Sequence, residues 1–249
     1  MNLAPQHAAM RSFGHASDLD LDFSDADRPS VVTTLLAQCG ESRDPAFWWS
    51  QTVGMRTAAL LRVVAMTEQR DEIALSARCG VAACGETFEF ELPLLALPQS
   101  GDEANTGPIQ VRLSDERSIT TRRPTGEDLR RWRQAQPASQ AEALSMMLDS
   151  LVLEGQTGPG DEASLSASIA ALDPLVAFDV SCRCPACEAA NEVAVDLEAL
   201  ALGRLLARQR ALLHEVHRFA SHYGWTESEV LSVPPARRTH YLSLIEGER

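Results

Sequence analysis

Glu72-Ile-Ala-Leu-Ser-Ala-Arg-Cys79-Gly-Val-Ala-Ala-Cys84-Gly-Glu-Thr-Phe-Glu-Phe-Glu-Leu92 carries the pattern that decides the fold. Ile73, Leu75 and Ala77 alternate into Cys79, and Phe88, Phe90 and Leu92 alternate out of Cys84, a period of two that builds a β-hairpin with a thiol pair at its tip. The same grammar returns about a hundred residues later, where Val176, Phe178 and Val180 lead into Cys184-Pro-Ala-Cys187 and Val193, Val195 and Leu197 lead out. Two such units, each offering two thiolates, complete a tetrahedral four-sulfur shell. The expected ligands are Cys79, Cys84, Cys184 and Cys187, and the expected ion is zinc. A closed shell leaves no position for substrate, so the metal is expected to be structural.

Cys182 complicates the assignment, because Cys182 to Cys187 repeats the four-residue gap of Cys79 to Cys84. Counting back from each knuckle, Cys182 takes the place of Ala77 and Cys184 that of Cys79. Strand parity therefore makes Cys182 a small core residue. Cys39 has no partner in sequence and reads as core.

The length of 249 residues is enough for a sizeable core. No stretch approaches eighteen consecutive apolar residues, and Met-Asn-Leu-Ala-Pro-Gln-His lacks the basic and apolar regions of a secretory signal, which points to the cytoplasm. Six cysteines in a reducing compartment read as metal ligands or core thiols, not as a disulfide framework. A formal charge of −13 argues against broad binding to phosphate backbones and favours protein partners. All 22 basic residues are arginine, from which nothing mechanistic follows.

Residues 1–28, with Asp18-Leu-Asp-Leu-Asp22, Asp25 and Asp27, read as a disordered acidic segment. Residues 29–196 form the expected α+β, zinc-stapled core, and 197–249 a helical docking region. Within the core, apolar spacing from Val31 to Met66 is helical, with Phe47, Trp48 and Trp49 supplying large surface. Pro98 to Pro108 is a Pro/Gly loop, and Ile109-Val111-Leu113 with Ser118–Thr121 suggests another hairpin. Thr125-Gly-Glu-Asp128 has the form of a helix start, with a helix through Leu129 and Trp132 to follow. Further helices are expected over Ala141–Leu153 and Leu165–Leu172, with a loop from Glu154 to Ala163 between them.

In the C-terminal region Leu202, Leu205, Gln209, Leu212, Val216, Phe219 and Tyr223 alternate by three and four, the seam of a long helix. Leu206, Leu213 and Ala220 widen the stripe. The helix should end at Gly224, Thr226 should cap the next with Glu229 closing a capping box, and Ser232-Val-Pro-Pro235 should start the last. His214-Glu-Val-His217 lacks the four-residue gap of a zinc protease helix, and no Gly-rich phosphate loop or nucleophile elbow is present. The reading is therefore non-enzymatic. Trp225, Tyr223 and Tyr241 gather near one turn, and Trp225, Arg237, Arg238 and Tyr241 are the candidate docking residues, with both arginines expected to be exposed. Arg237-Arg238 after a tight turn also invites a helix-turn-helix reading, but residues 196–249 hold seven Arg against seven acidic residues.

Cys184-Pro-Ala-Cys187, the helix ending Glu215-Val-His217-Arg-Phe-Ala-Ser-His-Tyr-Gly-Trp225, then Glu229-Val-Leu231 and Arg237-Arg238-Thr-His-Tyr241-Leu resemble the baseplate proteins of T-even-like contractile phage tails and related injection systems. Arg123-Pro-Thr-Gly-Glu-Asp-Leu129 and Cys84-Gly-Glu-Thr-Phe-Glu-Phe90 are similar too. The likeness spans roughly residues 45 to 245 and is dense only after Asp173; the four-residue gap of the first knuckle departs from the usual two. The resemblance implies a structural or assembly component of the baseplate hub whose partners are other baseplate or tail proteins. The alternative is a zinc-ribbon nucleic-acid-binding regulator with a helix-turn-helix-like tail. A metal-dependent hydrolase, with an open metal position, stands behind both.

Overall fold

The computed structural model describes residues 9–94, 96–97, 107–113, 117–158 and 160–247. In chain order, helices α1 (Ala16–Leu19), α2 (Arg28–Cys39), α3 (Pro45–Ser50) and α4 (Val53–Glu68) precede a hairpin of β1 (Glu72–Arg78) and β2 (Thr87–Pro93). Strands β3 (Ile109–Arg112) and β4 (Ser118–Thr121) follow, then α5 (Gly126–Ala135), α6 (Gln140–Asp149), β5 (Val152–Glu154) and α7 (Glu162–Leu172). A second hairpin, β6 (Asp179–Arg183) and β7 (Ala190–Ala194), leads into α8 (Leu197–Tyr223), α9 (Glu227–Ser232) and α10 (Pro235–Gly247). The class is α+β, and each of these strand pairings is antiparallel.

Helix α4 is the centre of the main core. Its run of Ala, Leu and Val is buried on nearly every side, as expected of a helix that is apolar all round. Thr52 caps it, accepting from the Met55 amide at 3.3 Å. Leu60, Leu61, Val63 and Val64 pack with Leu35 and Leu36 of α2 and with Leu197, Ala201 and Leu205 of α8. Ile73 and Leu92 bring the first hairpin into the same core. Each fully enclosed Leu or Val contributes about 1.5–3 kcal/mol. One charge is enclosed as well: Arg56 donates to the carbonyls of Trp48 at 2.8 Å and Pro29 at 2.9 Å. It thereby ties α2, α3 and α4 together, and burial pulls its pKa down to about 10.

A second apolar cluster is separate from the first. Val111 and Ile119 of the β3–β4–β5 sheet, with Leu113 just after β3, close against Leu148, Leu151, Leu165 and Ile169 from α6, α7 and the turn after α6. Asp128 accepts from the Thr125 amide at 2.9 Å and from Arg122 at 2.5 and 2.8 Å, completing the capping box at the start of α5.

Several expectations need correction. From residue 9 onward the acidic N-terminal segment is folded: Phe13 and Leu21 enter the main core, and Asp18 is enclosed beside Arg11. Gln209 holds this segment down, its Nε2 donating to the carbonyls of Asp18, Leu19 and Leu21 at 3.3, 3.0 and 2.8 Å. Residues 1–8 lie outside the described residues, as does the Pro98–Pro108 loop up to residue 106. The helix expected over Ala141–Leu153 stops at Asp149, and Val152–Glu154 pairs with β4 instead, because Leu151 turns inward and the next residues find an open strand edge. Helix α7 starts at Glu162, inside the expected loop. The boundary at 197 cuts through the main core, since the first half of α8 is part of it.

Helix α8 follows the expected seam, with Leu205, Gln209, Leu212 and Phe219 buried. The stripe is narrower than expected: Leu213 and Ala220 face solvent. Gly224, at φ +70°, ends the helix. No helix among the described residues is long and apolar enough to cross a membrane.

Candidate functional site

The two hairpins are built alike at their tips. In the first, β1 and β2 stay in register from Glu72↔Pro93 to Arg78↔Thr87, and the Cys79 amide then donates to Glu86 O at 2.8 Å. In the second, Arg183 pairs with Ala190 and the Cys184 amide donates to Ala189 O at 3.0 Å. Each knuckle is closed by a residue in the left-handed region immediately after its second cysteine, Gly85 at φ +60° and Glu188 at φ +60°. Glycine takes this conformation without steric cost, whereas Glu188 carries a Cβ there, a strain of about 1–2 kcal/mol. The two extra residues of the first knuckle are absorbed in a tight turn, where the amides of Cys84 and Gly85 both donate to Val81 O, at 2.9 and 3.0 Å. The longer gap thus leaves the second sulfur in place.

The tips meet. Cys79 Sγ lies 3.6 Å from Cys187 Sγ and Cys84 Sγ 3.8 Å from Cys184 Sγ, and all four sulfurs are within 4.8 Å of one another. Zinc–thiolate bonds of about 2.3 Å in a tetrahedron give sulfur–sulfur edges of about 3.8 Å, so the set matches the dimensions of a four-thiolate metal site. Ala77 and Phe88 form an apolar floor with the buried Cys79 and Cys184, while Cys84 is half-buried and Cys187 exposed. Cys182 is outside the quartet: it pairs in register with Asn191, and its Sγ lies 3.8 Å from Asn191 O within the same floor.

Electrostatics favour a cation here. Desolvation by itself would raise the Cys184 thiol, but backbone N–H groups of Cys187 and Ala186 outweigh it and bring its pKa down to about 7. Cys187, although an N–H from Ala189 favours its thiolate, is pushed up to about 12 by desolvation and by its neighbouring sulfurs. Four thiolates at these distances repel one another, and a divalent ion offsets that repulsion.

One residue of this site gave no signal in sequence. Asn191 is buried, accepts from the Gly80 amide at 2.8 Å and donates to Ala189 O at 2.9 Å. It fastens the first knuckle to the second hairpin. A lone Asn four residues past Cys187 could not have been singled out by spacing.

The C-terminal candidates fall into two kinds. Trp225 stacks on buried Phe219 with centroids 5.4 Å apart and meets Tyr241 edge-on at 5.5 Å, while Tyr223 lies 5.4 Å from Trp225. All three outer rings are half-buried around Phe219. The capping box of Thr226 and Glu229 forms as expected. Arg237 is exposed, but Arg238 is not: its Nε donates to Glu215 Oε2 at 2.8 Å and its Nη1 to Val233 O at 2.8 Å. Arg238 is therefore a tie between α10 and α8 and not a surface contact. His214, His217 and His222 are exposed on α8. No family model, no curated protein and no solved structure matches this chain.

Proposed function

We propose that this protein is a non-enzymatic structural or assembly component of a phage-like contractile-tail baseplate. On this reading a structural zinc ion held by Cys79, Cys84, Cys184 and Cys187 fixes the two hairpins, and the C-terminal helices dock onto other baseplate or tail proteins in the cytoplasm. The observation that carries the reading is the aromatic group at the α8–α9 turn. Trp225, Tyr223 and Tyr241 are each half-buried around the buried ring of Phe219, and exposed Arg237 lies one helical turn before Tyr241. Aromatic rings with a neighbouring arginine are the side chains that anchor protein interfaces. The sequence resemblance supplies the kind of partner.

The alternative, a zinc-ribbon nucleic-acid-binding regulator, draws support from exposed Arg78 and Arg183, which precede the first cysteine of each knuckle. The burial of Arg238 removes one of the two arginines that its helix-turn-helix tail needs. Co-purification with the products of neighbouring tail genes tests the two. Tail proteins captured by the wild type and lost with Trp225→Ala or Arg237→Ala support docking. Salt-sensitive binding to duplex DNA with no tail partner overturns it in favour of the regulator.

A further inference from the structure

We infer that the four-thiolate centre is also an oxidation site, at which a peroxide expels the metal and leaves two disulfides running between the hairpins, Cys79 to Cys187 and Cys84 to Cys184. The metal release rests on the zinc reading above; the pairing rests on the sulfur geometry alone.

Access comes first. Cys79 and Cys184 are 5% and 1% exposed, so a dissolved oxidant does not reach them directly. Cys187 is exposed, and its neighbours Pro185, Ala186 and Glu188 are exposed as well. Reaction with peroxide requires a thiolate that the oxidant can touch, and a metal-bound sulfur at the surface meets both conditions. Oxidation therefore enters at Cys187.

Proximity then selects the partner. Four cysteines allow three connectivities, and the Cys-x-x-Cys spacing of Cys184 and Cys187 suggests a bond within the knuckle. Two sulfur contacts cross the gap between hairpins, Cys187 to Cys79 at 3.6 Å and Cys84 to Cys184 at 3.8 Å, within a quartet whose sulfurs all lie within 4.8 Å of one another. The Cys187 thiolate attacks one oxygen of hydrogen peroxide and the O–O bond breaks, giving a sulfenic acid and one hydroxide. The Cys79 thiolate attacks the Cys187 sulfur and the S–O bond breaks, giving the disulfide and a second hydroxide. Two electrons pass from the two sulfurs to one peroxide. Two remaining thiolates, Cys84 and Cys184, would hold a zinc ion less well than four, and a second peroxide joins Cys84 to Cys184 in the same manner. The complete reaction consumes two peroxides, releases one zinc ion and yields four hydroxides. Bonds within the knuckles would let the hairpins part once the metal left, whereas bonds between them keep the staple in covalent form.

The test uses the zinc-loaded full-length chain and hydrogen peroxide, with metal release followed by a chromogenic chelator. Trypsin cuts after arginine, so Cys79 and Cys84 share the fragment Cys79–Arg112, and Cys184 and Cys187 share Cys184–Arg204. We expect one zinc released per chain and the two fragments joined in a single mass, with fragmentation placing the links at Cys79–Cys187 and Cys84–Cys184. Reduction with a dithiol should separate the fragments and restore metal binding. Two unjoined fragments, each carrying an internal disulfide, would overturn the inference, as would any link to Cys182 or full metal retention under excess peroxide. Metal content before treatment keeps the two readings apart: absent zinc refutes the metal assignment, and the fragment map still decides the pairing. Cys182→Ala should change neither the release nor the map.

Discussion

The backbone amide of Gly80 donates to the side chain of Asn191 at 2.8 Å, so a residue of the second hairpin holds the chain of the first knuckle next to Cys79. Groups that orient metal ligands without touching the metal commonly change affinity by about 10–100-fold when removed. Asn191→Ala should weaken zinc binding by roughly that factor, measured by competition with a chelator of known affinity. An affinity equal to wild type would show that the four sulfurs position themselves unaided.

Cys182 and Cys184 should separate cleanly. Cys184→Ala removes one of the four sulfurs and should leave the purified chain without stoichiometric zinc, whereas Cys182→Ala should retain about one ion per chain. Because metal binding and folding are coupled at such sites, chelation should destabilise the β1–β2 and β6–β7 hairpins together. Metal analysis and thermal melts with and without chelator check both; zinc lost from Cys182→Ala would reassign the ligands.

Arg237 and Arg238 are neighbours in sequence with opposite roles. Arg238→Ala leaves half-buried Glu215 on α8 with, among the described residues, the Arg208 contact at 3.2 Å, frees the Val233 carbonyl, and should cost about 1–3 kcal/mol. Arg237→Ala should stay within about 0.5 kcal/mol of wild type. Trp225→Ala removes a half-buried ring from Phe219 and should cost about 2 kcal/mol. Denaturant melts rank the three, and equal destabilisation by Arg237→Ala and Arg238→Ala would contradict the burial of Arg238.

Acid stability depends on Asp18 and Asp128, two buried carboxylates with depressed pKa values. Burial opposes the charge of Asp18, but Arg11 and the amides of Gly14 and His15 outweigh it and hold its pKa below the usual range; Arg122 and Thr125 do the same for buried Asp128. Their ionised forms are favoured in the folded state, so their contribution is complete above the unfolded value of about 4 and is lost as pH falls through the lower folded values. Asp173 has the opposite sign. Its pKa is raised by burial despite the Gly54 amide and Arg123, so its contribution is present at low pH and lost as pH rises through the raised value. Asp18→Asn should flatten the fall of the urea midpoint between about pH 5 and 2, and Asp173→Asn should gain on wild type toward neutral pH. An unchanged acid limb in Asp18→Asn would refute the first assignment.

Features settled within a few residues were legible in the sequence. The boxes Thr125–Asp128 and Thr226–Glu229 each close within one turn, and alternation with strand parity placed Cys79 and Cys184 correctly against Cys182. Features settled by distant partners were not. Nothing near Arg238 announces Glu215, which stands 23 residues earlier on another helix. The N-terminal segment looks like solvated acidic chain until Gln209, 191 residues away from Asp18, supplies donors for its carbonyls. Leu151-Val-Leu153 suits helix or strand by composition, and the free edge of β4 decides between them.

The clamp at Gln209 also sets the earliest moment at which the Asp18–Leu21 segment can be fully held. Chains emerge from the ribosome at about 5–20 residues per second, so Gln209 follows Asp18 by roughly 10–40 s. Throughout that interval the segment holding Phe13 and Leu21 can reach Cys39 of α2 and Thr67 of α4, but the wall that α8 supplies has yet to be made. A chain that stops before α8 therefore leaves Phe13 and Leu21 without the α8 side of their core and the carbonyls of Asp18, Leu19 and Leu21 without their amide donor.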